Sequence, residues 1–232
     1  MAAAIPQPGD HPHPQYIVTL NRLEFQLLHQ GLLDGFLITW VGDSHARNIA
    51  ARNRRRQGPF AVKPTIRFVG RGGRTIRSFK QNHLEEAVGV LPHSPLQRVA
   101  IIFLGSNDID VATWPVDLPK NKFANELLSL RVMLLNSYDH VFVVGIPERD
   151  TCRGRNPELV HQLSLKCNQR LNNSLRGWYI KLPNTAYNYD AEHRYHEDGI
   201  HFTRQMYDSI LRLIQFKIRA IMSGDADFIN IV

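Results

Sequence analysis

Phe36-Leu37-Ile38-Thr39-Trp40-Val41 runs straight into Gly42-Asp43-Ser44-His45-Ala46-Arg47, and the rest of the chain is read outward from this junction. An apolar run of strand length, then glycine, then helix-compatible residues, reads as a buried strand, a tight turn and the start of a helix. Ser44 then stands at the carboxyl end of a strand, where open α/β sheets keep their ligand sites. It also opens a helix, whose first backbone N–H groups point at any anion forming beside them. That setting suits a nucleophile. It also suits a plain N-cap, since Gly-Asp-Ser is ordinary turn chemistry, and the tripeptide by itself favours the cap. Three distant segments tip the balance.

Downstream, Ala46 to Arg56 reads as a helix stopped by Gly58-Pro59, and Thr65 to Val69 as a second strand. Gly70-Arg71-Gly72-Gly73-Arg74-Thr75 follows, with glycines that let a backbone approach a ligand closely. Thr75 stands where a dinucleotide turn needs its third glycine, and no Lys-Ser or Lys-Thr follows as in a P-loop, so a donor turn for another anion fits better. Thr75 to Val88 is expected as a helix and Val99 to Leu104 as a fully buried strand. Gly105-Ser106-Asn107-Asp108 ends that strand, where Asn107 is either a turn former or a side-chain donor. Further elements are expected as helix Lys122 to Leu135, strand Val141 to Ile146, helix Glu158 to Trp178, a weakly marked strand at Tyr179 to Leu182, and an amphipathic helix from Arg204 to Met222. Upstream, leucines at helical spacing mark a helix over Tyr16 to Leu33. Strands alternating with helices predict a three-layer α/β/α domain around a mainly parallel sheet of about five strands.

The third segment is His193-Arg194-Tyr195-His196-Glu197-Asp198-Gly199-Ile200-His201. Histidines and acids so close invite a metal reading, yet neither an HExxH helix nor a cysteine pair supports it, and no metal ligands are assigned. An aspartate three residues before a histidine, with Gly199 between, lets the Asp198 carboxylate reach the His201 ring and fix its tautomer. A solvated loop with incidental histidines is the plain alternative.

The length of 232 residues suits one domain over 16–232 behind a flexible leader over 1–15, where Pro6, Pro8, Pro12 and Pro14 cluster. The leader lacks the basic start and apolar centre of a secretory signal, and no run approaches the roughly 18 apolar residues of a membrane span. An intracellular location, cytoplasmic or nuclear, is expected. Cys152 and Cys167 are too few for a disulfide framework and are expected as reduced thiols, although a single bridge between them stays open. Net charge is +7, and eleven Lys or Arg but no Asp or Glu fall between Ala46 and Leu84. Such a lobe either attracts polyanions, nucleic acid or anionic membrane, or is a solvated basic face. Arg52, Arg54, Arg55, Arg56, Arg71 and Arg74 are its candidate contacts.

Taken in order, Gly42-Asp43-Ser44, the glycines at 70 to 73, Gly105-Ser106-Asn107-Asp108 and Asp198-Gly199-Ile200-His201 resemble the four sequence blocks of the SGNH, or GDSL-type, hydrolases. The resemblance spans roughly residues 36 to 222. It implies a flavodoxin-like sandwich and cofactor-free hydrolysis of esters, thioesters or acetylated sugars, with Ser44 as nucleophile, His201 as base and Asp198 as its orienter. It also implies an oxyanion hole of the Ser44 and Gly73 backbone N–H groups and the Asn107 amide. Gly73 rather than Gly72 is chosen because the family commonly follows that glycine with a polar residue and Thr or Ser, as Arg74 and Thr75 do here. His45 departs from the apolar residue frequent after the serine, and Arg74 from a common Asp, and both bear on substrate charge. Ile146-Pro147-Glu148-Arg149, with Asn168 to Asn172 downstream, is similar to SGNH domains of animal mobile-element proteins.

The expectation is a serine esterase acting on small acyl esters, with an SGNH-fold binding module for nucleic acid or anionic lipid as the alternative. Absence of a GxSxG elbow argues against an α/β-hydrolase. Short, acetyl-like acyl groups are expected because the segment from Asp108 to Lys122 is short and polar or Pro-rich, with Trp114 its one large aromatic residue, and long-chain sites need more apolar lining.

Overall fold

The computed structural model describes residues 36–56, 66–89, 97–111, 121–147, 157–182 and 200–222. The leader, the helix expected over 16–33, Trp114, Cys152 and Asp198 lie outside the described residues. In chain order the elements are β1 (Phe36–Gly42), α1 (Ser44–Arg56), β2 (Ile66–Gly70), α2 (Ile76–Asn82), α3 (Leu84–Val88), β3 (Gln97–Phe103), α4 (Ser106–Val111), α5 (Lys122–Leu134), β4 (His140–Val144), α6 (Pro157–Leu175), β5 (Tyr179–Ile180) and α7 (Arg204–Met222).

The five strands form one parallel sheet in the order β2-β1-β3-β4-β5. This is the flavodoxin-like order, and it follows from the composition of the strands. Parallel strands covered on both faces must be apolar on both sides, as Ile101-Ile102-Phe103 and Val141-Phe142-Val143-Val144 are. Alternate residues then enter opposite cores. Leu37, Val41, Ala100, Ile102, Val141 and Val143 pack with residues of α2, α3, α5 and α6. Ile38, Trp40, Val99, Ile101, Phe142 and Val144 pack with α1 and α7. Helix α7 presents Met206, Tyr207, Ile210, Leu211, Ile214 and Ile218 to that second core, the stripe its helical periodicity predicts. Trp40 is fully buried there, and truncating such a side chain typically costs about 3 to 5 kcal/mol.

The strand order reverses between β1 and β3, because β1 leads outward to β2 and the chain then crosses back. Open α/β sheets hold ligands in the crevice outside the carboxyl ends of the strands at such a switch point. Gly42 and Phe103 are register partners at the ends of these two strands. The Ser44 turn and the Asn107 turn are therefore neighbours by topology.

Three expectations are corrected. The helix expected over Thr75 to Val88 is two helices, because His83 leaves helical geometry at φ −133°, ψ −6° while its N–H closes the last bond of α2 on Phe79. The turn at Ser106 to Asp108 continues as the short helix α4, with the Asp108 and Ile109 N–H groups both donating to the Gly105 carbonyl. Helix α6 ends at Leu175, and Arg176–Trp178 form a tighter turn that opens on Arg176 at φ +46°.

Candidate active site

Asp43 is the N-cap of α1. Its carbonyl accepts the Arg47 N–H at 3.1 Å and its Oδ1 accepts the His45 N–H at 2.9 Å. This is the local chemistry that makes Gly-Asp-Ser a helix start: a short acid satisfies N–H groups that a helix leaves without intrahelical partners. Ser44 is consequently the first residue of α1, at a position whose own N–H the helix does not use. Gly42, with φ at +157°, precedes it because a β-carbon there would overlap the Phe103 carbonyl of β3.

The turn after β3 completes the carboxylate's shell. Ser106 Oγ and Asn107 Nδ2 both donate to Asp43 Oδ2 at 3.0 Å. Asn107 Nδ2 also donates to the Arg74 carbonyl at 3.1 Å. Facing a carboxylate and a carbonyl, that end of the amide has to be the nitrogen. Asp43 is 1% exposed, and these donors stand where solvent would otherwise be. One next-door acid is placed differently. Both oxygens of Asp108 accept the Ile76 N–H, each at 3.0 Å, which fastens the start of α2 to the β3 turn. Asp108 is pushed up to about 7, chiefly by burial and also by the Asp43 charge, against the opposing pull of the Ile76 N–H.

The turn after β2 closes over Ser44. A β-carbon placed on Gly72 would lie in ordinary contact with Ser44 Cβ at 3.8 Å and Arg47 Nη1 at 3.9 Å, so this turn packs directly against the serine. Gly73 adopts φ +76°, the left-handed region, and a β-carbon on it would meet nothing within 4 Å. The turn's far end is held by Thr75, which caps α2 reciprocally with Ser78.

His201 lies just before α7, whose N-cap is Thr203. Its ring centroid is 5.7 Å from that of His45, the residue after Ser44. His45 is itself buried between Phe103 at 5.3 Å and Phe202 at 5.2 Å, and its Nδ1 shares a 3.0 Å hydrogen bond with Tyr207 Oη. Tyr207 Oη accepts in turn from Asn48 Nδ2 at 3.2 Å.

The fold thus gathers Ser44, the Gly72-Gly73 turn, Asn107 and, through His45, His201 at one edge. Asp198 lies outside the described residues. Of the basic candidates, Arg52 is committed to a bidentate pair with Asp208 of α7, both contacts being 2.6 Å. Arg71 and Arg74 stand in the turn beside Ser44, and the side chains of Arg54, Arg55 and Arg56 are outside the described set. Among the described residues no group of three His, Cys, Asp or Glu is arranged to hold a metal ion, and no helix is long and apolar enough to cross a membrane. Cys167 is buried, and burial pushes its thiol up to about 12.

Sequence reasoning missed four residues of this edge. Asp43 and Asp108 were read as parts of turns rather than as the ties between turns. The Asp in the N-cap position before Ser44 was the available signal for the first. Tyr207 was read as one more residue of an amphipathic helix. Asn168 brackets Ile146, accepting its N–H at 2.8 Å and donating to its carbonyl at 2.9 Å, and so holds the chain leaving β4. Nothing local in the sequence marks that contact.

No family model matches this chain, and no curated protein matches it in sequence. Solved structures do. A Bacteroides fragilis protein assigned as an acylhydrolase superposes with a TM-score of 0.61 at 18% identity, covering 82% of this chain and 88% of its own. A GDSL-like lipase of Bacteroides thetaiotaomicron gives a TM-score of 0.57 at 14% identity over 82% of this chain and 89% of that one. An acetylxylan esterase of Geobacillus stearothermophilus gives 0.51 at 13% identity over 79% and 94%. The chain carries the fold of the GDSL-type, or SGNH, hydrolases.

Proposed function

We propose that this chain is a serine esterase acting on short, acetyl-like acyl esters. Ser44 Oγ attacks the acyl carbonyl while His201 accepts its proton. His201 then passes that proton to the departing alcohol, and water activated by the same ring releases the acyl group from the serine. Asp198 orients the ring and stabilises it when charged. The oxyanion is received by the Ser44 and Gly73 N–H groups and by the Asn107 amide, donors fixed before the charge develops. Both N–H bonds of that amide are directed to protein acceptors, so the oxyanion replaces the Arg74 carbonyl as partner of one of them.

The observation that carries this reading is the convergence of the turns after β1, β2 and β3 on Ser44, with the His201 ring tilted against that of His45 at 5.7 Å. A panel of esters from acetyl to long chain, run on the protein and on Ser44→Ala and His201→Ala, tests it. Each variant is expected to lose nearly all turnover while keeping its fold, and the double variant to be little worse than either. Near-normal turnover in Ser44→Ala would move the chemistry to another nucleophile. Faster turnover of a long-chain ester than of acetate would reject the acyl preference.

A further inference from the structure

The basic stretch divides by position. Arg52 pairs with Asp208, Arg67 with Glu86 and Lys80 with Glu126, all at a distance from Ser44 along their elements. Arg47, Arg71, Arg74 and Arg77 make no ion pair among the described residues; Arg47 is in the first turn of α1, Arg71 and Arg74 are in the turn that follows β2, and Arg77 is in the first turn of α2. Arg47 is exposed, and its guanidinium stands over Gly72, on the same glycine face as Ser44 Cβ. Arg74 is half-buried, its carbonyl holds the Asn107 amide, and its Nε is buried where no protein acceptor meets it.

The acids nearest in sequence give these cations no relief. Within residues 42–47, 70–77 and 105–109 the acids are Asp43 and Asp108. Asp43 is occupied by His45, Ser106 and Asn107, and Asp108 by Ile76. Like charges along this edge repel one another, and the buried Arg74 Nε without an acceptor costs free energy. An anionic group on the substrate removes both penalties at once, and the guanidinium fork is suited to carboxylate and phosphate oxygens.

We infer that the site selects esters bearing an oxyanion group, carboxylate or phosphate, close to the scissile bond, and that Arg47 and Arg74 bind it. This rests on the esterase reading and adds the substrate class. Arg47 and Arg74 are specificity residues here, and the bond-making chemistry stays with Ser44.

The test compares kcat/KM within two size-matched ester pairs, using the full chain. In one pair the alcohol of an acetyl ester ends in phosphate or in a neutral hydroxyl. In the other a succinate half-ester is set against the corresponding butyrate. The wild type is expected to favour the anionic member of at least one pair by roughly tenfold or more, the scale of one charged hydrogen bond. The preference should fall in Arg47→Gln and in Arg74→Gln, chiefly through KM, and weaken as salt is added. Arg98→Gln, the same charge change at the opposite end of β3, should leave it unchanged. Equal turnover of both members in both pairs overturns the inference and leaves the esterase standing, as does a preference that both variants keep. Should no ester be hydrolysed, the esterase reading fails. The anion site is then decided by titrating inorganic phosphate while following the Gly72 and Gly73 amide signals: shifts abolished in Arg47→Gln keep it, and no shifts remove it.

Discussion

The turns that follow β1 and β3 each bury an aspartate at the same edge of the sheet, yet the two carboxylates live differently. Asp43 receives three donors from three residues, one in its own helix and two across the strand gap. Asp108 accepts the Ile76 N–H through both oxygens and sits in the field of Asp43. Donors favour the ionised form of a buried carboxylate, and at Asp108 they do not offset its burial. The difference assigns roles. Asp43 is the fixed charge that sets the geometry between Ser44 and Asn107, whereas Asp108 is a capping group whose proton is exchangeable near neutrality.

Removing the Asp43 side chain should have the largest effect. Asp43→Ala strips the cap from α1 and leaves the Ser106 hydroxyl and one Asn107 N–H without their buried acceptor. Losses of that kind together typically cost roughly 3 to 5 kcal/mol. Urea unfolding should show the loss, and ester turnover should fall with it as Asn107 drifts from Ser44. A variant as stable as the wild type would mean that the three donors find other partners and that Asp43 ties nothing together. Next comes Asn107→Ala, expected to lower kcat by about 10²-fold or more with a smaller change in KM if, as proposed, the oxyanion takes the place of the Arg74 carbonyl on its amide. An unchanged kcat would leave Asn107 as a mere brace between Asp43 and Arg74.

The contrast also explains what could be read from the sequence. Strand content, the parallel sheet and the order of the helices were legible because apolar runs and helical periodicity are local signals, as in Phe36 to Val41 and the stripe of α7. Ser44 and Asn107 were legible because each follows a buried strand and sits in turn chemistry. What holds them was not. Ser106 to Asp43 and Asn107 to Arg74 are contacts across tens of residues, set by which strands become neighbours. The basic stretch reads as uniform for the same reason: Arg52 looks like Arg47 in sequence, and α7 separates them by supplying Asp208 to Arg52. The break at His83 was hidden because Leu84-Glu85-Glu86-Ala87-Val88 continues as good helix former.

Asp108→Asn should change the slope of stability with pH more than stability itself. Folding raises this carboxyl from its ordinary value of 3.8 to about 7, so between those values the native state holds a proton that the unfolded chain has released. The stabilising contribution is complete below about pH 4 and is lost as pH rises through about 7. Asn keeps an acceptor for the Ile76 N–H but has no proton to lose. Urea midpoints measured from about pH 5 to pH 8 should decline more steeply in the wild type than in the variant. Equal slopes would place the titration elsewhere, and the contrast between the two acids would dissolve.

Ser106→Ala should have the smallest effect, and it isolates what one of the three donors to Asp43 is worth. The hydroxyl and the Asn107 amide converge on the same oxygen at 3.0 Å, while His45 serves the other. Removing the hydroxyl leaves Asp43 its hydrogen bonds from His45 and Asn107. The cost should therefore stay near a single hydrogen bond to a charged group, roughly 1.5 to 3 kcal/mol in urea unfolding, with kcat lowered only a few-fold. Combined with Asn107→Ala, the loss should exceed the sum of the single losses, because both donors serve the same oxygen and either can partly compensate for the other. Strict additivity in that double-mutant cycle would show that the two donors act on Asp43 independently. The β3 turn would then be held by its own backbone rather than by the carboxylate.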